Sequence, residues 1–223
     1  ADEHLIENLI KPFEDEEVCA AYGRQMADKK DNPVEAYTRI FNYPKESRIK
    51  SKEDLPKLGI KTFFCSNVCA AYRKSEYNAL GGFPLHTIFN EDMIFASHLI
   101  EAGKKIAYAA DAKVVHSHNY GCLAQLHRNF DLGVSQAQHP EIFDAYPSEG
   151  EGIRMVKKSA AYVCRIHKPW LLATLFFQSG FKYVGYFLGK RYQSLPDGVI
   201  RWCTSNKMWW EYHGKRRKKH KQK

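Results

Sequence analysis

The sequence predicts an α/β layer structure over residues 1–150, followed by a basic helical extension. Three observations carry this. Helical and strand periodicities alternate as far as residue 118, whereas from Tyr120 onward the period is almost wholly helical. Charge divides at nearly the same place: residues 1–152 carry a net −6 and residues 153–223 a net +15, within a total of +9. The 223 residues are 44% hydrophobic and 26% charged, enough to bury a core and too apolar for wholesale disorder.

In order along the chain, residues 3–11 (EHLIENLIK) place Leu5, Ile6, Leu9 and Ile10 at helical spacing, with Asp2 to cap them and Pro12 to end them. Residues 18–24 (VCAAYGR) are short, apolar and turn-bounded, as a buried strand is. Pro33 opens a helix that runs to Asn42. Residues 45–61, rich in Lys, Glu, Ser and Pro, read as an exposed loop, and residues 62–72 (TFFCSNVCAAY) return to strand character. Ser75 can cap a brief helix ending at Gly81-Gly82. Residues 90–102 form a helix capped by Asn90, with Glu91 and Asp92 in the first turn and Gly103 after the end. Residues 105–109 and 113–118 read as two strands. We expect the α/β part to end near Gly150, the helical extension to cover 151–214, and a polybasic tail to occupy 215–223.

Cysteines 19, 65, 69, 122, 164 and 203 form no C-x-x-C pair and are too sparse for a disulfide scaffold, so we read them as thiols in a reducing compartment. The first residues lack the basic start, apolar run and small-residue cleavage site of a signal peptide. The chain begins at Ala1, directly at a helix-like segment, and we expect further sequence upstream of it.

Several stretches could carry chemistry. Asn90-Glu91-Asp92 sets two acids at a helix N-terminus, where the dipole and open N–H groups keep a carboxylate ionised; capping alone is the plainer reading. Gly81-Gly82-Phe83-Pro84 just before it lets backbone approach a ligand, and a carboxylate nearby can accept a hydroxyl proton. His116 and His118, two apart on a strand, would face the same way and could share a ligand or metal, though two histidines make no metal site by themselves. Asn67 could orient a polyhydroxylated ligand or simply close a strand edge.

Cys65-Ser66-Asn67, Arg73-Lys74, Leu80-Gly81-Gly82-Phe83, Asn90-Glu91-Asp92, Glu101-Ala102-Gly103-Lys104 and Val115-His116-Ser117-His118-Asn119-Tyr120, in this order and spacing, resemble the C-terminal half of a family 2 glycosyltransferase, most closely the bacterial rhamnosyltransferase-like enzymes of cell-surface polysaccharide assembly. The resemblance covers residues 1–135. It implies a GT-A fold, a Rossmann-like domain with a mixed sheet, of which this chain would be the acceptor-side portion. It also implies a nucleotide-sugar donor, inversion at the anomeric carbon and a divalent cation, Mn²⁺ or Mg²⁺. Asp92 falls on the catalytic base with Glu91 beside it; Asn67, Gly81, Gly82 and Asn90 fall on the acceptor side; His116, then His118, fall on the metal or diphosphate. The family's Asp-X-Asp motif is absent from these 223 residues, so on this resemblance the chain alone would not turn over sugar nucleotide.

Residues 170–188 approach a membrane span in length, but Thr174, Gln178 and Lys182 recur every four residues on one face. That pattern fits a helix lying in a membrane interface, or an ordinary bundle helix. Trp202, Trp209, Trp210 and Tyr212 precede a tail with seven Lys or Arg in its last nine residues. An anionic membrane surface is the partner this implies, placing the protein in the cytoplasm at the inner face of the cell membrane with a glycan or lipid-linked acceptor. Nucleic acid would meet the same charge, but the net acidic first 152 residues count against it. A metal-dependent hydrolase built on His116 and His118 is the other rival, and it needs Asp92 or Asp111 as a third ligand.

Overall fold

A computed structural model describes residues 2–212, so the polybasic tail expected at 215–223 lies outside the described residues. The fold is α/β, with the helices α1 (Leu5–Ile10), α2 (Pro33–Asn42), α3 (Leu55–Leu58), α4 (Lys74–Ala79), α5 (Glu91–Glu101), α6 (Cys122–Gln138), α7 (Pro140–Phe143), α8 (Glu149–Arg165), α9 (Leu171–Lys190) and α10 (Asp197–Cys203). The strands β1 (Val18–Met26), β2 (Arg48–Lys50), β3 (Ala70–Tyr72) and β4 (Lys105–Val115) form one mixed sheet in the order β2-β4-β1-β3, with β1 and β4 parallel and both edges antiparallel. The described residues divide into two compact units. Residues 2–85, 91–119 and 141–175 form the first, and 86–90, 120–140 and 176–212 the second.

In the first unit the strand period of two sorts the sheet's side chains. Ile106, Tyr108 and Ala110 join Tyr22, Phe63, Phe95, Leu99 and Ile100 in the main core. Ala107, Ala109 and Ala112 face the other way, against Leu9 of α1, where short side chains let the helix lie close. Helix α2 starts where expected: Asn32 accepts a hydrogen bond from the N–H of Val34 at 2.9 Å and Pro33 fills the first turn. Val34 of α2, Val163 of α8 and Leu175 of α9 share a buried cluster, beside which Tyr37 and Tyr162 stack at 4.6 Å.

Three expectations from the sequence need correction. Residues 45–61 are not simply an exposed loop, because they hold the edge strand β2, the buried Lys50 and the buried Ile60. Only residues 70–72 of the run 62–72 are strand, since Cys65 to Asn67 leave the ladder to make side-chain contacts of their own. The two strands expected at 105–109 and 113–118 are one, β4, whose pairing with β1 jumps from Gly23↔Ala109 to Arg24↔Lys113. His116 and His118 therefore lie beyond the strand end. Gly23 sits at the jump, where a Cβ would come within 2.6 Å of the Ala112 carbonyl.

The second unit is helical. Its core joins Ile88, Leu126, Phe130, Val134, Ile200, Cys203 and Trp210. Asp131 of α6 is buried there and accepts hydrogen bonds from Thr204 Oγ1 at 2.6 Å, the Ser205 N–H at 2.9 Å and the Ser205 hydroxyl. Burial still holds its pKa above the ordinary carboxylate value. Helices α6 and α9 touch backbone to backbone: a Cβ on Gly185 or Gly189 would lie 2.2 Å from the carbonyls of Leu126 or Phe130. All six cysteines are free thiols. Among the described residues no helix is long and apolar enough to cross a membrane.

Candidate functional site

The site assembles around the N-terminus of α5. Asp92 Oδ2 accepts the backbone N–H of Asn67 at 3.1 Å, and Oδ1 accepts the N–H of Met93 at 2.8 Å. Asn67 also donates its side-chain amide to Glu91 Oε1 at 3.4 Å, so one residue engages both acids. Burial, reinforced by the neighbouring Glu91, pushes the Asp92 carboxyl from 3.8 to about 6, while the two N–H donors oppose that rise. The result is a carboxylate poised near neutrality, where a general base works best.

Asn67 is held in turn. The Tyr72 hydroxyl donates to Asn67 Oδ1 at 2.7 Å and lies 3.5 Å from Cys65 Sγ. Burial drives the Cys65 thiol up to about 11 and the Tyr72 phenol higher still, so both stay protonated and Tyr72 remains a donor. The Tyr72 ring packs edge-on against Phe83 at 5.3 Å and Phe95 at 5.6 Å. Gly81 and Gly82, with φ of 81° and 68°, make the turn that brings Phe83 there. A Cβ on Gly82 would strike the Tyr77 ring at 2.7 Å, and the Tyr77 hydroxyl receives the Phe83 N–H at 3.1 Å. The double glycine thus reaches the acids through an aromatic cluster and Tyr72.

The loop bearing Cys65 to Asn67 is fastened from beneath by Lys50. Its buried ammonium donates to the carbonyls of Lys61 at 3.1 Å and Phe64 at 2.5 Å and lies over the Tyr22 ring at 4.9 Å. Burial pulls this amine down to about 7. Gln25, buried near the end of β1, donates to Ser66 Oγ at 2.8 Å.

The structure thus brings Asn67, Glu91 and Asp92 into direct contact and sets Gly81 and Gly82 behind them. Asn90 is placed differently. It is buried in the second unit, takes φ of 63°, and donates its side-chain amide to Ser135 Oγ at 3.2 Å. His116 and His118 pack ring to ring, edge to face at 4.3 Å. His116 is further held through its backbone, its N–H on the Met26 carbonyl and its own carbonyl on Arg39 Nε. Among the described residues no group of three or more His, Cys, Asp and Glu is arranged to hold a metal, so the hydrolase rival lacks the ligand set it required. Arg73, one of the residues that carry the resemblance, spends its guanidinium on the carbonyls of Val18, Phe13 and Asp15.

Sequence reasoning did not single out Tyr72 or Lys50. Tyr72 carried no signal beyond its place in an apolar run, and Lys50 lay in a stretch whose composition reads as solvated.

The chain is 43% identical over 210 residues to the O-antigen chain rhamnosyltransferase WbaN of Salmonella anatum, an alignment covering 94% of this chain and 66% of that protein. It is 43% identical over 211 residues to the O-antigen chain rhamnosyltransferase RfbN of Salmonella typhimurium strain LT2, covering 94% of this chain and 67% of that one. The chain therefore spans about two thirds of the length of these curated relatives. No family model matches it, and no solved structure does. With identity at this level along nearly all of its length, the chain belongs to the family of O-antigen chain rhamnosyltransferases.

Proposed function

We propose that the full-length protein is an inverting glycosyltransferase of family 2 with a GT-A fold. It transfers a sugar, rhamnose if it follows its relatives' names, from a nucleotide-activated donor to a glycan acceptor. The observation that carries this reading is the Asp92 carboxylate, fixed by two backbone N–H groups and raised by burial to about 6. Asp92 takes the proton of the acceptor hydroxyl as that oxygen bonds to the anomeric carbon. The bond to the diphosphate oxygen breaks on the opposite face, and configuration inverts.

The chain's residues divide the work. Asn67 fixes the direction of the carboxylate, and Glu91 keeps a second negative charge beside it, which favours proton uptake. Tyr72 stops Asn67 from turning. The Gly81-Gly82 turn and the start of α5 line the acceptor side. His116 and His118, which pack ring to ring, are the residues that would hold a Mn²⁺ or Mg²⁺ ion. The chemistry that such an ion would supply is charge neutralisation at the departing diphosphate.

The test is release of nucleoside diphosphate from nucleotide-linked rhamnose in the presence of a glycan acceptor, with and without Mn²⁺ or Mg²⁺. The comparison is between the full-length protein and its Asp92→Asn form. Metal-dependent release that falls at least about a hundredfold in Asp92→Asn is expected. Retained turnover in Asp92→Asn would remove Asp92 as the base. Absence of turnover in the parent with every nucleotide-linked rhamnose would remove the transferase reading.

A further inference from the structure

An ordinary surface helix turns its apolar stripe inward and its polar positions outward. Helix α9 buries Leu175 and packs Leu188 inward, yet it buries polar Gln178 as well and leaves most of its aromatic rings outside. In the second unit, the side of α9 packed on α6 carries Gly185, Tyr186 and Gly189, with Gln178 in line with them. Gln178 is 7% exposed, and its amide oxygen is buried with no hydrogen-bond partner. The polar positions expected to face water are thus turned toward the protein. The other side carries Phe176 (73% exposed), Phe177 (57%), Phe181, Tyr183 (65%), Val184 and Phe187, a continuous apolar arc of about 160° at 100° per residue. Fraying does not explain this orientation. The contacts at Gly133, Gly185 and Gly189 leave no room for a Cβ, so the rotation of α9 about its axis is fixed.

A fixed apolar arc of this width on a soluble surface marks an interaction face. Charge selects its partner. Helix α9 contains no acidic residue, and residues 153–223 hold 17 Lys and Arg against two acids. Arg191, just past the helix end, sets its guanidinium over the Phe187 ring at 3.8 Å. Aromatic rings flanked by cations, on a helix of 20 residues among described helices none of which is apolar enough to span, match the requirements of an anionic lipid interface. We propose that this face of α9 docks the protein on an anionic bilayer, with the helix lying in the plane of the interface and Phe176, Tyr183, Val184 and Phe187 entering the headgroup boundary. The inference does not depend on the transferase reading.

The experiment is co-sedimentation of the full-length protein with vesicles of phosphatidylglycerol and phosphatidylcholine, and with vesicles of phosphatidylcholine alone. The proteins compared are the wild type, the triple variant Phe176→Ser, Val184→Ser, Phe187→Ser, and the conservative pair Phe176→Leu, Phe187→Leu. Circular dichroism confirms that each retains its helices, as substitutions at exposed positions should allow. The wild type should bind the anionic vesicles, the serine variant about a hundredfold more weakly given the apolar area removed, and the leucine pair within a few fold of wild type. Wild-type binding that the serine variant retains in full, or that high salt abolishes while the serine substitutions do not affect it, would assign attachment to charge elsewhere and overturn the proposal. A lipid-free wild type that sediments as a dimer, and a serine variant that sediments as a monomer, would assign the face to a second copy and overturn it equally.

Discussion

Replacing Asp92 by Asn should make the protein more stable above neutrality and less stable in acid. In the folded chain the carboxyl ionises near 6 rather than 3.8. Below about pH 3.8 it is protonated both folded and unfolded, and folding is indifferent to it. Between about 3.8 and 6 the unfolded chain ionises while the folded chain resists, so stability falls as pH rises, and above about 6 the penalty is complete. At about 1.4 kcal/mol per tenfold, that gap amounts to about 3 kcal/mol at pH 8. Asn escapes the penalty, but its single amide oxygen cannot serve both the Asn67 and the Met93 N–H, and one lost hydrogen bond costs about 1 kcal/mol. The expected outcome is a gain of about 2 kcal/mol at pH 8, a loss of about 0.5 kcal/mol at pH 4 that deepens to about 1 kcal/mol at lower pH, and a crossing at about pH 4.5. Urea unfolding followed by circular dichroism, with both proteins measured across that range, reads the difference directly. A difference that stays constant with pH would refute the reasoning, because the carboxyl would then titrate alike in both states. A rising limb of kcat/KM centred near pH 6 should accompany it, lost in the variant.

Three further outcomes follow from the same geometry. Tyr72→Phe removes the donor to Asn67 Oδ1 and should lower kcat by about fivefold to tenfold with KM unchanged, as steady-state kinetics would show, while the variant stays folded because the ring remains against Phe83 and Phe95. Lys50→Met removes the donor to the Phe64 carbonyl and one of two donors to the Lys61 carbonyl, which keeps the Phe64 N–H, and should cost about 1–2 kcal/mol in urea unfolding at neutral pH. Gly185→Ala sets a methyl 2.2 Å from the Leu126 carbonyl, which as backbone cannot rotate away. It should destabilise by about 1–3 kcal/mol, whereas Gly180→Ala on the open side of the same helix should be neutral or slightly stabilising.

Much of the fold was legible because its signals are local. Pro33 after Asn32 marks the start of α2, and Glu91 and Asp92 ahead of a long apolar run mark α5. The acid pair and Asn67 could be singled out because polar residues at a helix start and in an apolar run stand out against their surroundings. What escaped depends on partners distant in sequence. Lys50 looks solvated until the carbonyls of residues 61 and 64 close over it, and Tyr72 gains its role from Asn67 on one side and Phe83 on the other. The four-residue spacing of Thr174, Gln178 and Lys182 correctly indicated a two-sided helix. Which side faces outward is decided where Gly185 and Gly189 let α9 meet Leu126 and Phe130 of α6, partners distant in sequence.

The two compact units are interleaved: the chain passes from one to the other five times, at 85/86, 90/91, 119/120, 140/141 and 175/176. This shapes how the gene can change. A stop codon after residue 175 would spare every segment of the first unit, yet it would strand Ile88, Leu126, Phe130 and Val134 without Ile200, Cys203 and Trp210. The product would carry a sticky remnant rather than a clean domain. Recombination between relatives has the same difficulty, since a crossover anywhere from 141 to 175 pairs one parent's residues 120–140 with the other's 176–212. Substitutions in those two stretches should therefore be inherited in step with each other, while the 35 residues between them answer to a different set of neighbours.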